Sequence, residues 1–485
     1  MSAAAGPNAE RETETNLYQT PLRWGRYPLT AFDNLFDRST FLTGWLVKGT
    51  IDTQVLSSAL RRVTEKWRVL AGRLEAVPNK KTFQLAVPLS ALPESYRTFV
   101  LTETTSDVPL STYIALPLEA SSESLPQTLF LDAATPRQSM EWATRDHPLT
   151  CWHITHFPSR SPAEPAHTCI GFGRPHGVFD GMGAAAVMNA VVAELRGNEW
   201  TVPAPPPEGW NPNPIVETLK LAALPITGIE VPYSPLGVKS SLWLYGWHLR
   251  ERFWRGATHR IFVVPKECIG LLAEPVKTVV RSLAPGLTVT TGDVLVAWFL
   301  KVLYATGTPP ETVVHCSNFA NVRGLLEKAG SDSLALYPHN AFMPLPYPTM
   351  TVKTIIATDL ADLTQHLCES RHSLSLLHVA AAEHLMSKAL TMPVHPGAQD
   401  TLVVSNVSAS RILETDWTPA GSEGTICSYR FSATPTGLVY GNGVYISGRL
   451  ADGSTVLDVN LNTVRMENLT RAIGELKSRI WVGKV

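Results

Sequence analysis

The chain has 485 residues, 44% of them hydrophobic and 17% charged, so it can bury the cores of two or three domains. Lys and Arg number 41 against 42 Asp and Glu, a formal charge of −1 that leaves no overall basic field to draw in nucleic acid or an anionic surface. Six cysteines, at 151, 169, 268, 316, 368 and 427, are scattered without a Cys-x-x-Cys, which argues against a zinc site or a disulfide framework and predicts free thiols in a reducing compartment.

Residues 1–16 are polar and lack the charged-then-apolar pattern of a leader. No apolar run is long enough to span a bilayer. The end, Trp481-Val482-Gly483-Lys484-Val485, matches no retention or prenylation signal. By elimination the expectation is a soluble cytoplasmic protein.

The first strand signal is Phe41-Leu42-Thr43-Gly44-Trp45-Leu46-Val47, following Ala31-Phe32-Asp33-Asn34-Leu35-Phe36. Over 53–67, Val55, Leu56, Ala59, Leu60, Val63 and Trp67 recur at helical spacing, with Asp52 or Thr53 placed as N-cap. Residues 69–74 return to strand or turn, and 83–87 and 96–101 read as strands. Residues 149–157 alternate as a half-buried strand should, and its His153 and His156 are read as structural.

Residues 168–172 form a short apolar strand, and 184–195 an Ala/Val-rich helix. Between them runs Gly173-Arg174-Pro175-His176-Gly177-Val178-Phe179-Asp180-Gly181-Met182-Gly183. A lone imidazole on a Gly- and Pro-bounded turn, four residues before a carboxylate, sits where rigid elements present catalytic groups. Histidine is the side chain best suited to moving a proton near neutral pH, and the glycines allow a ligand close approach.

Residues 203–214 are Pro-rich, cannot be helix or central sheet, and read as a linker. The following 215–255 is aromatic-rich, with Trp243, Tyr245, Trp247, Phe253 and Trp254. It reads as a helix packing on both domains, with a membrane-surface helix as the sharper alternative. Beyond it come a strand at 258–264, a helix at 265–282 broken by Pro275, and a helix at 289–300 capped by Thr290 or Thr291. Then follow a strand at 312–319, one amphipathic helix over 359–378, and a buried strand at 401–406. A hairpin of 438–450 with 454–461 turns at Asp452-Gly453, and a helix at 466–480 closes the chain. Alternating strands and helices in both halves predict an α/β protein of two layered domains: 1–202, a connecting 203–255, and 256–485.

In this order and spacing the chain resembles the BAHD-type, His-x-x-x-Asp acyltransferases of the chloramphenicol-acetyltransferase-like group, most of all the fungal branch of trichothecene O-acetyltransferases. The likeness runs along nearly the whole chain. It includes Leu42-Thr43-Gly44-Trp45-Leu46-Val47, Glu65-Lys66-Trp67-Arg68-Val69-Leu70-Ala71-Gly72-Arg73-Leu74 and, most specifically, His176-Gly177-Val178-Phe179-Asp180-Gly181. Asp293-Val294-Leu295-Val296-Ala297-Trp298 and Asn321-Val322-Arg323 match two second-half signatures.

The resemblance implies two chloramphenicol-acetyltransferase-like domains, each a mixed sheet flanked by helices, enclosing an interdomain channel. It implies acyl transfer from a CoA thioester, acetyl-CoA being the family's commonest donor, to a hydroxyl of a hydrophobic secondary metabolite. His176 is then the general base, with no covalent acyl-enzyme, no tightly bound cofactor and no metal. Asp180 turns away from the reaction and pairs with an arginine, for which Arg323 holds the matching position, and Gly181 supports the turn. Ser405 stands where related enzymes place an oxyanion-facing hydroxyl. The family's Asp-Phe-Gly-Trp-Gly motif is reduced to Asp416-Trp417-Thr418-Pro419-Ala420, so Asp416 is carried over as structural support alone. The expected state is a monomer. Two other classes stay open: a stand-alone condensation-type domain, against which Pro175 counts because those proteins double the histidine, and a non-acylating cyclase or small-molecule binder on the same scaffold.

Overall fold

A computed structural model describes residues 22–482, except 120, 163, 331–333, 335 and 438–440. The polar stretch 1–16, the last three residues and the start of the predicted 438–450 strand lie outside the described residues.

Two sheets organise the molecule. The first runs in the order Ser422–Ala433, Thr40–Gly49, His167–Pro175, Cys151–Phe157, Val100–Thr105. Its centre is antiparallel, with Gly44 opposite Gly171 and Phe41 opposite Arg174. The second runs Phe342–Pro344, Val313–Asn321, Asp400–Asn406, Gly443–Arg449, Thr455–Leu461, Thr258–Val264, Ser121–Glu123. Its middle is parallel, pairing Ser405 with Tyr445, and the turn through Asp452 and Gly453 joins an antiparallel pair. The chain crosses between the sheets in both directions: Ser121–Glu123 edges the second, and Ser422–Ala433 completes the first.

Helices cover the outer faces. Thr53–Lys66 and Gly181–Arg196 pack together on the first sheet around Trp45, Trp152, Phe172 and Val187. Asp52 caps the former, accepting from the amides of Gln54 and Val55 at 2.9 and 3.0 Å. Lys266–Leu283, Thr291–Leu303, Leu360–His372 and Thr463–Val482 cover the second around Val294, Phe299, Leu402 and Val459. Asp293, inside the matched second-half signature, closes a capping box with Thr290 and binds Arg371 at 2.8 Å.

Several details depart from the sequence reading. Pro275 does not break its helix, which continues through Lys266–Leu283. Predicted helix 359–378 is two, Leu360–His372 and Leu376–Lys388, parted at Ser373-Leu374-Ser375, where Ser375 begins the second. The strand placed at 96–101 lies at Val100–Thr105. The aromatic-rich 215–255 is not one helix but Pro214–Leu221, Val238–Leu249 and a π-helical turn, Arg250–Trp254. The Pro-rich stretch is not wholly free either: Gly209–Trp210 pairs with Gly25 and Arg26 at a sheet edge, where proline's missing donor does least harm. All six cysteines are buried and unpaired.

Candidate active site

The strand His167–Pro175 ends in the turn that carries His176, and Asp180 caps the helix that follows, its Oδ1 accepting from the Gly183 amide at 2.8 Å. His176 and Asp180 therefore leave one turn in different directions. Asp180 is nearly sealed from solvent and held by four donors. Arg323 gives Nη1 to Oδ2 at 2.9 Å and Nη2 to Oδ1 at 3.0 Å, and the Ala341 amide adds 3.2 Å to Oδ2. Arg323 spends its other donors on the carbonyls of Tyr337 and His339 and on Asn321 Oδ1. The pair locks the His176 turn of the first half onto residues 337–341 of the second.

That second-half segment also fixes the turn from behind. Asn340 Nδ2 donates to the His176 carbonyl at 2.8 Å and to Asp33 Oδ1 at 2.9 Å. His339 Nδ1 donates to the Val178 carbonyl at 2.9 Å, which leaves Nε2 to accept from the Tyr27 hydroxyl at 2.7 Å. Burial, offset in part by the Val178 carbonyl, pushes its pKa down to about 4, so it stays neutral. The stretch 337–341 also comes so close that a Cβ on Gly183 would lie 1.9 Å from the Pro338 carbonyl oxygen.

His176 itself is only partly covered. Its Nδ1 lies 3.3 Å from the Phe179 carbonyl, which can only accept. Nδ1 therefore carries the proton, and the lone pair is on Nε2. Phe36 stacks on the ring at 4.3 Å and Phe41 leans on it at 4.8 Å. Burial, then the nearby Arg174 charge, pushes its pKa down to about 4, so the imidazole is a neutral acceptor across the physiological range.

The ring opens into a cavity of about 600 Å³ walled by both sheets. The first sheet and the segments beside it contribute Phe36, Phe41, His176, Arg430 and Ser432; the second sheet contributes Phe319, Asn321, Ser405 and Tyr445; Leu236 and Leu244 close it from the segment between. The lining is mostly apolar. Ser405 faces it one strand from Tyr445, and among the described residues its hydroxyl has no hydrogen-bond partner. Gly181 also lines it; a side chain there would press on Val407, 3.2 Å away. Asp416 is elsewhere. It binds Arg196 at 2.5 Å, at the far end of the helix that Asp180 starts, about 24 Å along its axis, so its support reaches the site only through that helix. Its neighbour Trp417 is buried edge-on against Trp45, which explains why an aromatic stands there although the rest of the motif does not.

Two cations beside the site also escaped the sequence reading. Arg174 and Arg430 lie 5.1 and 4.7 Å from the centroid of the Phe41 ring. Among the described residues neither guanidinium forms an ion pair: Asp458 accepts from the Arg430 backbone amide at 2.9 Å and from His259 Nε2 at 2.6 Å. Arg430 Nη1 is buried without a hydrogen-bond partner among the described residues, and the side chain lines the cavity and rests over Tyr445 at 5.0 Å. A cation between two apolar-looking strands was the available signal. Among the described residues no cluster of His, Cys, Asp and Glu could hold a metal.

No family model matches the chain. Acetyltransferase adrJ of Penicillium rubens is 25% identical over 319 residues, 61% of this chain and 61% of that protein. Its counterpart in Penicillium roqueforti is 26% identical over 320 residues. O-acyltransferase pboC of Aspergillus ustus is 24% identical over 396 residues, 77% of this chain and 80% of that one. The chain thus spans about three fifths of the adrJ proteins it matches. Among solved structures, F. graminearum TRI101 complexed with coenzyme A and deoxynivalenol superposes at a TM-score of 0.62 with 13% identity, over 92% of this chain and 97% of that one. F. sporotrichioides TRI101 complexed with coenzyme A and T-2 gives 0.61 at 14%, over the same shares. Those two are likenesses of fold. What they show is that the two sheets and their flanking helices share the fold of TRI101. The relatives the chain matches at 24–26% identity are two acetyltransferases and an O-acyltransferase, all from fungi.

Proposed function

We propose that the protein is an acyl-CoA-dependent O-acyltransferase, with acetyl-CoA as donor and a hydroxyl of a hydrophobic metabolite as acceptor. The observation that carries this reading is the free Nε2 of a neutral His176 facing a largely apolar cavity that both sheets wall. In the reaction the acceptor hydroxyl gives its proton to Nε2 as its oxygen attacks the thioester carbonyl. A tetrahedral oxyanion forms, then collapses as the C–S bond breaks; the departing thiolate takes the proton from the imidazolium, which restores the base. No covalent acyl-enzyme is required. Arg430 and the Ser405 hydroxyl are the donors available to the oxyanion, and such groups are worth most where water is excluded. Asp180 and Arg323 are positioning residues that hold the turn.

Bound CoA and trichothecenes in the TRI101 structures favour a polycyclic alcohol as acceptor here. The test is incubation of the full chain with acetyl-CoA and a panel of such alcohols, T-2 and deoxynivalenol included, while free thiol is followed. Acceptor-dependent thiol release, lost in His176→Ala, is expected. A bound alcohol rearranged without thiol release overturns the reading in favour of a cyclase.

A further inference from the structure

Helix Val238–Leu249 runs straight into the π-helical turn Arg250–Trp254. Its inner side is accounted for: Trp247 is buried and Leu244 lines the cavity. Its outer side is not. Val238, Leu242 and Tyr245, spaced as one helical stripe, are 81%, 68% and 53% exposed, and Phe253 and Trp254 continue the surface at 71% and 78%, with Trp243 beside them. A stripe of that spacing ordinarily faces a core, and contiguous apolar surface of this kind marks an interaction site. The charges of the segment sort in one direction. Lys239, Arg250 and Arg252 are exposed, while Glu251, the one carboxylate between 238 and 254, is fully buried and bound by Arg250 at 3.1 Å and Arg255 at 3.2 Å. The outward face is therefore aromatic, aliphatic and cationic.

We infer that this segment docks on a bilayer bearing anionic headgroups. The aromatic and aliphatic side chains enter the boundary between headgroups and acyl chains, where Trp and Tyr are most at ease, and Lys239 and Arg252 meet lipid phosphates. A helix lying in the interface needs no span, and none of the described helices is long and apolar enough to provide one. The cationic face is what selects a lipid surface over a second copy of this chain, since two such faces would repel. Because Leu244 lies on the same helix, docking brings a cavity wall to the lipid, so that an apolar acceptor dissolved there reaches His176 without crossing bulk water. This last step rests on the acyltransferase reading; the docking does not.

The test is co-sedimentation of the full chain with vesicles of phosphatidylcholine alone and of phosphatidylcholine mixed with phosphatidylserine. Binding to the mixed vesicles, weakened by salt, is expected. The combined Trp243→Ser, Phe253→Ser, Trp254→Ser variant should lose it while melting as the parent does. Lys239→Glu with Arg252→Glu, confined to exposed charges, should lose it independently, and His176→Ala should keep it. Failure of the parent to bind the mixed vesicles, or unchanged binding by the charge-reversed variant, overturns the inference. So does a concentration-dependent dimer, seen without lipid and abolished by the triple substitution, because a second copy then covers the face.

Discussion

Arg323 and Asp180 stand 143 positions apart in the chain and meet through two parallel hydrogen bonds, both side chains almost wholly buried. Removing the carboxylate leaves a guanidinium without its counterion. Asp180→Ala should lower the unfolding free energy by about 3–5 kcal/mol. Asp180→Ala with Arg323→Met should cost less than the two single changes together, as urea titrations of all three will show. Strict additivity would mean that the pair is not a unit.

His176 bears on reactivity and hardly on folding, since its side chain makes one long hydrogen bond and ring contacts. His176→Gln should reduce acceptor-dependent thiol release by roughly 10²–10⁴-fold. Its melting temperature should stay near the parent's. Activity within a few fold of the parent would require a different base.

The pH profile follows from the same ring. With its pKa pushed down to about 4, Nε2 is unprotonated above that value, and kcat/KM should fall only as pH drops through about 4. The Arg174 charge is the second cause of that depression, so Arg174→Met should move the fall to higher pH. A profile bending near the ordinary histidine value in the parent enzyme contradicts the described environment.

Stability should also fall on the acid side. His315, with neither ring nitrogen paired, is pushed down to about 3 by burial and then by His395, while His176 and His339 are near 4. Below the unfolded value of about 6.5 the unfolded chain takes up these protons and the native one does not, so their contribution is whole above that pH and shrinks toward 3–4. Asp33, raised by burial to about 6, opposes them, since its native form holds a proton longer than the unfolded one. His315→Phe should therefore raise stability more at about pH 5 than at about pH 8, measured by denaturant unfolding at each. An equal gain at both would remove His315 from the acid response.

Gly183 is the point of closest approach between the Asp180 helix and the second half. Gly183→Ala puts a methyl group 1.9 Å from a backbone oxygen that cannot swing aside. A loss of about 1–3 kcal/mol is expected, together with weaker activity as the Asp180–Arg323 contact opens. A thermal melt with the thiol-release assay checks both; an unchanged pair of readings would mean that residues 337–341 yield freely.

The turn around His176 and the helix after it could be read directly, because each rests on short-range chemistry, a strand end and a motif of fixed spacing, whereas Arg323 was reached only through the family resemblance. Residues gathered by tertiary packing could not. Asp33, His339 and Asn340 come from distant segments and surround the turn only once both halves are folded. Arg174 and Arg430 sit inside strands and reach the same ring from separate strands. Asp416 was carried over as structural support alone, and its partner, Arg196, stands at the far end of the helix that Asp180 starts. The split at Ser373–Ser375 was missed because hydrophobic spacing carried across a boundary that only serine chemistry marks.

Residues 422–433 lie at the border of the first sheet, beside a strand made almost four hundred positions earlier. A ribosome that has delivered the first half has thus not delivered what covers the open flank of Thr40–Gly49, and that flank waits, bare and prone to mispair, until most of the chain has emerged. Cutting the gene between its halves should yield a sticky, incomplete fragment, and recovery should come from supplying the missing half in trans.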